Sequence, residues 1–90
     1  MKLFDAISIQ PHVVARVVGH ETVILDLESG TYFGLDNVGA RIWQLLEAGK
    51  SLPEVCDVMV QEFEVSRDEL ERDVLALAGD LLDKKLITAG

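Results

Sequence analysis

Two histidines, one cysteine and a run of carboxylates are the residues whose chemistry could reach beyond structure. A zinc site needs Cys or His companions at short, regular spacing, and neither His12 nor His20 has them; no metal ligation is expected. Cys56 is the only cysteine, so no internal disulfide can form. Its place in an amphipathic pattern makes it a small buried apolar side chain rather than a reactive thiolate. Asp68, Glu69, Glu71, Asp73, Asp80 and Asp83 lie mostly off the apolar stripe of a predicted helix, the arrangement of a solvated face rather than of a general acid/base pair. There is no glycine-rich phosphate loop, no serine elbow and no local pairing of cysteine with histidine. The residues offer no catalyst and call for no cofactor. Trp43 and Tyr32 are either binding aromatics or core anchors, and Trp43 is read as core.

The elements that must position these residues follow from hydrophobic period and turn chemistry. A valine-dominated stretch from His12 to Val18 and the run Thr22 to Glu28, with Val23, Leu25 and Leu27 on one face, predict two strands. Ser29 and Gly30 break the chain before a third strand, Thr31 to Leu35, which pairs with the second. Asp36 or Asn37 caps a first helix built on Val38, Ile42, Leu45 and Leu46 and closed by Gly49. Ser51 and Glu54 have capping-box spacing ahead of a second helix with Leu52, Val55, Cys56, Met59 and Phe63 on one face, and Pro53 fits its first turn. Ser66 and Glu69 repeat that spacing before a third helix, with Leu70, Val74, Leu77 and Leu81 as its stripe and lysines near Lys85 at its end. Strands followed by helices make an α+β fold. Met1 to Gln10 either docks Leu3, Phe4, Ile7 and Ile9 on the core or partner, or remains a flexible arm.

On the third helix, Leu75, Ala78 and Leu82 widen the apolar arc beyond the roughly 100° a surface helix needs. Either the sheet covers this second flank or it walls a groove that a partner fills.

Ninety residues, 49% apolar and 27% charged, suit one globular domain spanning residues 1–90. No apolar run reaches the roughly 18 residues of a membrane helix, and Asp5 interrupts any secretory core, so a cytoplasmic protein without membrane contact is expected. A formal charge of −8 and a pI near 4.5 oppose the phosphate-neutralising footprint of a nucleic-acid binder.

The stretch ETVILDLESGTYFGLDNVGARIWQLLEAGKSLPEV, continued by a capped helix ending DKKLIT, resembles the PqqD-like family of recognition elements for ribosomal peptide biosynthesis, among them pyrroloquinoline quinone and lasso-peptide pathways. The resemblance runs from about Val13 to Thr88. It is most specific at Gly30, Tyr32, Leu35, Asp36, Gly39, Ile42 and Trp43, in the order and spacing of the family pattern. Asp36 replaces a frequent asparagine and keeps its capping ability.

The resemblance implies a winged helix-turn-helix-like domain, a three-stranded antiparallel sheet followed by three helices. Its third strand and third helix would border a groove for the leader segment of a precursor peptide, added as a strand. By position, Thr31, Tyr32, Phe33, Gly34 and Leu35 would be the receiving edge, and Glu71, Leu75, Ala78 and Leu82 the helical wall. Gly34 would admit a second backbone or mark a bulge. The reading is a non-catalytic adaptor that presents its precursor to a radical enzyme, protease or cyclase. A winged-helix transcription regulator and a homodimerising or docking subunit are the rival readings.

Overall fold

The computed structural model describes residues 2–90. Strands β1 (Ile7–Ile9), β2 (Val13–Val18), β3 (Glu21–Asp26) and β4 (Tyr32–Leu35) precede helices α1 (Asn37–Glu47), α2 (Leu52–Glu62) and α3 (Arg67–Asp83), and β5 (Ile87–Ala89) follows. β2, β3 and β4 form an antiparallel three-stranded sheet in that order, and β1 pairs antiparallel with β5 in a second sheet. The α+β arrangement of three strands and then three helices is therefore present.

The second sheet is a finding that the hydrophobic pattern did not give. Ile7, Ser8 and Ile9 lie opposite Ala89, Thr88 and Ile87, and Ala6 and Gly90 exchange backbone hydrogen bonds of 3.1 and 2.9 Å. Leu3, Ile7 and Ile9 pack against the core, while Phe4 stays 86% exposed. Residues Ile7 to Ile9 are thus held by strand pairing with β5.

The strand boundaries shift for a local reason. β3 ends at Asp26, whose carboxylate accepts the backbone N–H groups of Glu28 and Ser29, at 2.9 and 3.2 Å. This local bonding turns the chain before Leu27 can extend the strand. Gly30 then adopts φ 74°, which glycine tolerates without strain. The face carrying Val23, Leu25 and Leu27 points away from the core: Leu27 is exposed, and Ile24 on the opposite face is fully buried. Ala15 and Phe33, directly across from Ile24 in the register, pack inward with it.

Each helix begins on a side-chain cap. Asp36 Oδ1 accepts the Gly39 N–H at 2.7 Å, and Ser51 and Glu54 form a reciprocal capping box. At α3 only half of the expected box forms, from the Glu69 N–H to Ser66 Oγ at 3.2 Å. α1 and α3 end alike. Gly49 N–H donates to Leu46 and Lys50 N–H to Leu45; Lys85 N–H donates to Leu82 and Leu86 N–H to Leu81. Both are Schellman closures with a left-handed residue, Gly49 at φ 83° and Lys85 at φ 60°. The lysines therefore lie just beyond the last turn of α3 rather than inside it.

Trp43, Ile24, Ile42, Leu52, Met59, Leu70, Leu81 and Ile87 are fully buried, each contributing about 1.5–3 kcal/mol of transfer free energy. Trp43 is a core anchor. Cys56 is buried among these groups, and desolvation pushes its thiol above the usual range.

Candidate functional site

β4 is an edge strand, and its pairing fixes which backbone groups remain free. The Asp26 N–H donates to the Thr31 carbonyl at 2.9 Å, which makes Thr31, Phe33 and Leu35 the residues bonded to β3 in the antiparallel alternation. The N–H and C=O groups of Tyr32 and Gly34 point to the open side. Gly34 stands opposite Val23 in unbroken register, so it marks no bulge. A Cβ built on it would meet nothing within 4 Å.

Side chains alternate in the other sense. Leu35 is buried and Phe33 packs against the core, whereas Tyr32 is 76% exposed on the outer face of the sheet. The receiving edge expected at Thr31 to Leu35 is therefore a free strand edge with an apolar underside.

The helical wall of the groove differs from the expected one. A cleft of about 440 Å³ lies between Phe33, Gly34, Leu35 and the α3 residues Asp73, Leu77 and Asp80. A larger cleft of about 730 Å³ continues past Tyr32 and Phe33 to Lys84, Lys85 and Leu86. Phe33 belongs to both, and Lys84 Nζ lies 4.9 Å from the centre of its ring, within reach of a cation–π contact.

At about 100° per residue, Asp73, Leu77, Asp80 and Lys84 share one flank of α3. Glu71, Leu75 and Leu82 lie on the other, and the buried stripe of Leu70, Val74, Ala78 and Leu81 separates them. Ala78 is 0% exposed and walls no open groove. Glu71 is turned toward α2: Arg67 donates to Glu71 at 2.9 Å and to Asp57 of α2, joining the two helices. β4 thus comes together with Asp73, Leu77 and Asp80, and Glu71, Leu75, Ala78 and Leu82 do not line the cleft. Both flanks carry leucines at the same helical period, so the sequence pattern alone does not tell which of them faces β4. The Asp57–Arg67–Glu71 bridge is the signal that would have turned Glu71 toward α2.

The electrostatics of the groove are asymmetric. Among the described residues, no ion pair engages Asp73, Asp80, Lys84 or Lys85. His12, which has no Cys or His companions at zinc-site spacing, sits 3.7 Å from Asp26 and 3.6 Å from Glu28 at the mouth of the larger cleft. Among the described residues no group of His, Cys, Asp and Glu could hold a metal ion. The arrangement can pair an extended chain through backbone bonds and seat apolar side chains between Phe33 and Leu77.

Solved structures with this architecture match almost the whole chain. "TbiB1 in Complex with the TbiA(beta) Leader Peptide" is 44% identical, with a TM-score of 0.82 over 88% of this chain and 92% of that one. "Lasso peptide synthetase B1 complexed with the leader peptide" is 30% identical, with a TM-score of 0.84 over 92% of this chain and 98% of that one. None of the curated proteins matches in sequence. The family model for coenzyme PQQ synthesis protein D (PqqD) matches residues 21–87, from the start of β3 to the start of β5, and the chain belongs to the PqqD family.

Proposed function

We propose that this protein is a non-catalytic adaptor that binds the leader segment of a ribosomally made precursor peptide along β4 and presents it to a separate modifying enzyme. The observation that carries this reading is the free Tyr32 and Gly34 backbone beside a cleft walled by Leu77, in a chain 44% identical to a protein solved with a leader peptide. Backbone bonds to the edge supply affinity, and the pocket between Phe33 and Leu77 selects the register. Delivery follows from effective concentration: a modifying enzyme that also contacts the adaptor meets its substrate as a tethered neighbour. Such an enzyme, a radical enzyme, protease or cyclase, would act in the cytoplasm where the precursor is made. The acidic outer side of α3, with Asp68, Glu69, Asp73, Asp80 and Asp83, disfavours the rival duplex-binding role.

The test is an NMR titration of the folded protein with the TbiA(beta) leader peptide and with peptides selected from a displayed library of extended 15-residue segments. Shifts concentrated on Tyr32 to Leu35, Leu77 and Asp80 are expected. Ligands from neither source perturbing β4 would overturn the reading, as would saturation at a different surface.

A further inference from the structure

We propose that the groove reads the charge order of its peptide: a cationic residue over Asp73 and Asp80, an apolar one between Phe33 and Leu77, and an anionic one over Lys84 and Lys85. This rests on the leader-binding reading above and specifies what that site selects.

Three observations converge. The cleft beside Gly34 and Leu35 is lined by the carboxylates of Asp36, Asp73 and Asp80 and by no cation. Asp36 is occupied in capping α1, which leaves Asp73 and Asp80 to face an incoming chain. At the other end, Lys84 and Lys85 line the cleft together with Asp26 and the exposed Glu28. Asp26 holds its own turn, and His12 lies within 3.7 Å of both Asp26 and Glu28.

The third observation is conformational. Lys85 occupies the left-handed position of its helix closure, at φ 60°, where a side chain costs stability and glycine does not. The matching closure of α1 uses Gly49. A strained residue held at a binding surface points to a use for its side chain, and the side chain here is a cation at the mouth of the groove.

Geometry sets the order and the spacing. Antiparallel addition is the more stable pairing, and both neighbouring strand pairs already use it. The leader's earlier residues then lie at the Leu35 end and its later ones at the Tyr32 end, so the cation precedes the anion. From the midpoint of Asp73 and Asp80 to Lys84 and Lys85 the chain rises about 11–13 Å, about four residues of extended chain. Residues i, i+2 and i+4 of a strand share a face. The preferred segment is Lys or Arg at i, an apolar residue at i+2, and Asp or Glu at i+4.

A displayed library of extended segments with Lys, Glu or Ser at i and i+4 around a fixed leucine tests this directly. Lys-to-Glu order is expected to outbind Glu-to-Lys order by about tenfold, since two partly exposed pairs turn from attraction to repulsion. Lys85→Gly should reduce that preference although it relieves backbone strain, so the loss cannot come from unfolding. Asp73→Lys combined with Asp80→Lys should invert the preference at i. Peptides that shift the β4 amides without a preferred charge order, or with the reverse order, would overturn this inference and leave the leader-binding reading intact. Selected peptides that leave β4 unperturbed would overturn both.

Discussion

Lys85 and Gly49 occupy the same position in equivalent helix closures, each donating its N–H to the carbonyl three residues earlier and each left-handed, at φ 60° and 83°. Only one of them is a glycine. Lys85→Gly is therefore expected to stabilise the fold by up to about 1 kcal/mol, the relieved penalty less the entropy glycine adds to the unfolded chain. Gly49→Ala should cost about the same. Paired thermal or urea denaturation curves check both, and an unchanged or lowered midpoint for Lys85→Gly would contradict the first.

Alternation along β4 gives a residue-by-residue expectation for hydrogen exchange. In the free protein the Phe33 and Leu35 amides, bonded to β3, should exchange slowly, and those of Tyr32 and Gly34 should exchange fast. A bound leader should slow Tyr32 and Gly34 by at least about tenfold and change their neighbours less. Uniform protection of all four amides in the free protein would show that the edge is already covered.

The two flanks of α3 separate in a mutational test. Leu77→Asp places a charge between Phe33 and the incoming chain and should weaken leader binding at least about tenfold. Leu75→Asp, on the flank away from β4, should change affinity by no more than about twofold. Both leucines are half-buried against the core, so thermal midpoints must accompany the titrations. Equal losses of affinity from two folded variants would place the peptide elsewhere.

Acid sensitivity should be traceable to capping and bridging glutamates. The Arg41 guanidinium, bonded to both Glu62 oxygens at 2.8 and 2.7 Å, holds that carboxyl below its ordinary 4.5. The Ser51 N–H and hydroxyl do the same for Glu54. A depressed folded pKa contributes stability that is present above the unfolded value and lost as pH falls through the folded one. Stability should therefore decline on going below pH 4.5, and Glu54→Gln with Glu62→Gln should flatten that decline. Denaturant midpoints across the acid range decide it.

The order of strands and helices was legible because each boundary carries its own chemistry: Asp36, Ser51 and Ser66 as caps, Gly30 and Gly49 as left-handed turns. The β1–β5 pair was hidden because each partner is only a few residues long and its mate lies at the far end of the chain, where no local period reports it. At the site, β4 was legible as an apolar run after a turn. The wall was not, since Leu75 and Leu82 on one flank and Leu77 on the other give the same helical period. Only packing against α2 and β4 tells them apart. Lys84 and Lys85 read as dipole partners by position, and it took the turn after α3 to swing them to the mouth of the cleft.

The strand pair between Ile7–Ile9 and Ile87–Ala89 brings residues 6 and 90 into mutual hydrogen bonding. A short flexible linker between these ends would close the backbone into a ring without disturbing the groove. New ends could then be opened at Glu64, in the exposed turn between α2 and α3. A circular permutant of this kind should keep the fold, and its new ends would serve for insertion of the whole unit into a loop of another protein.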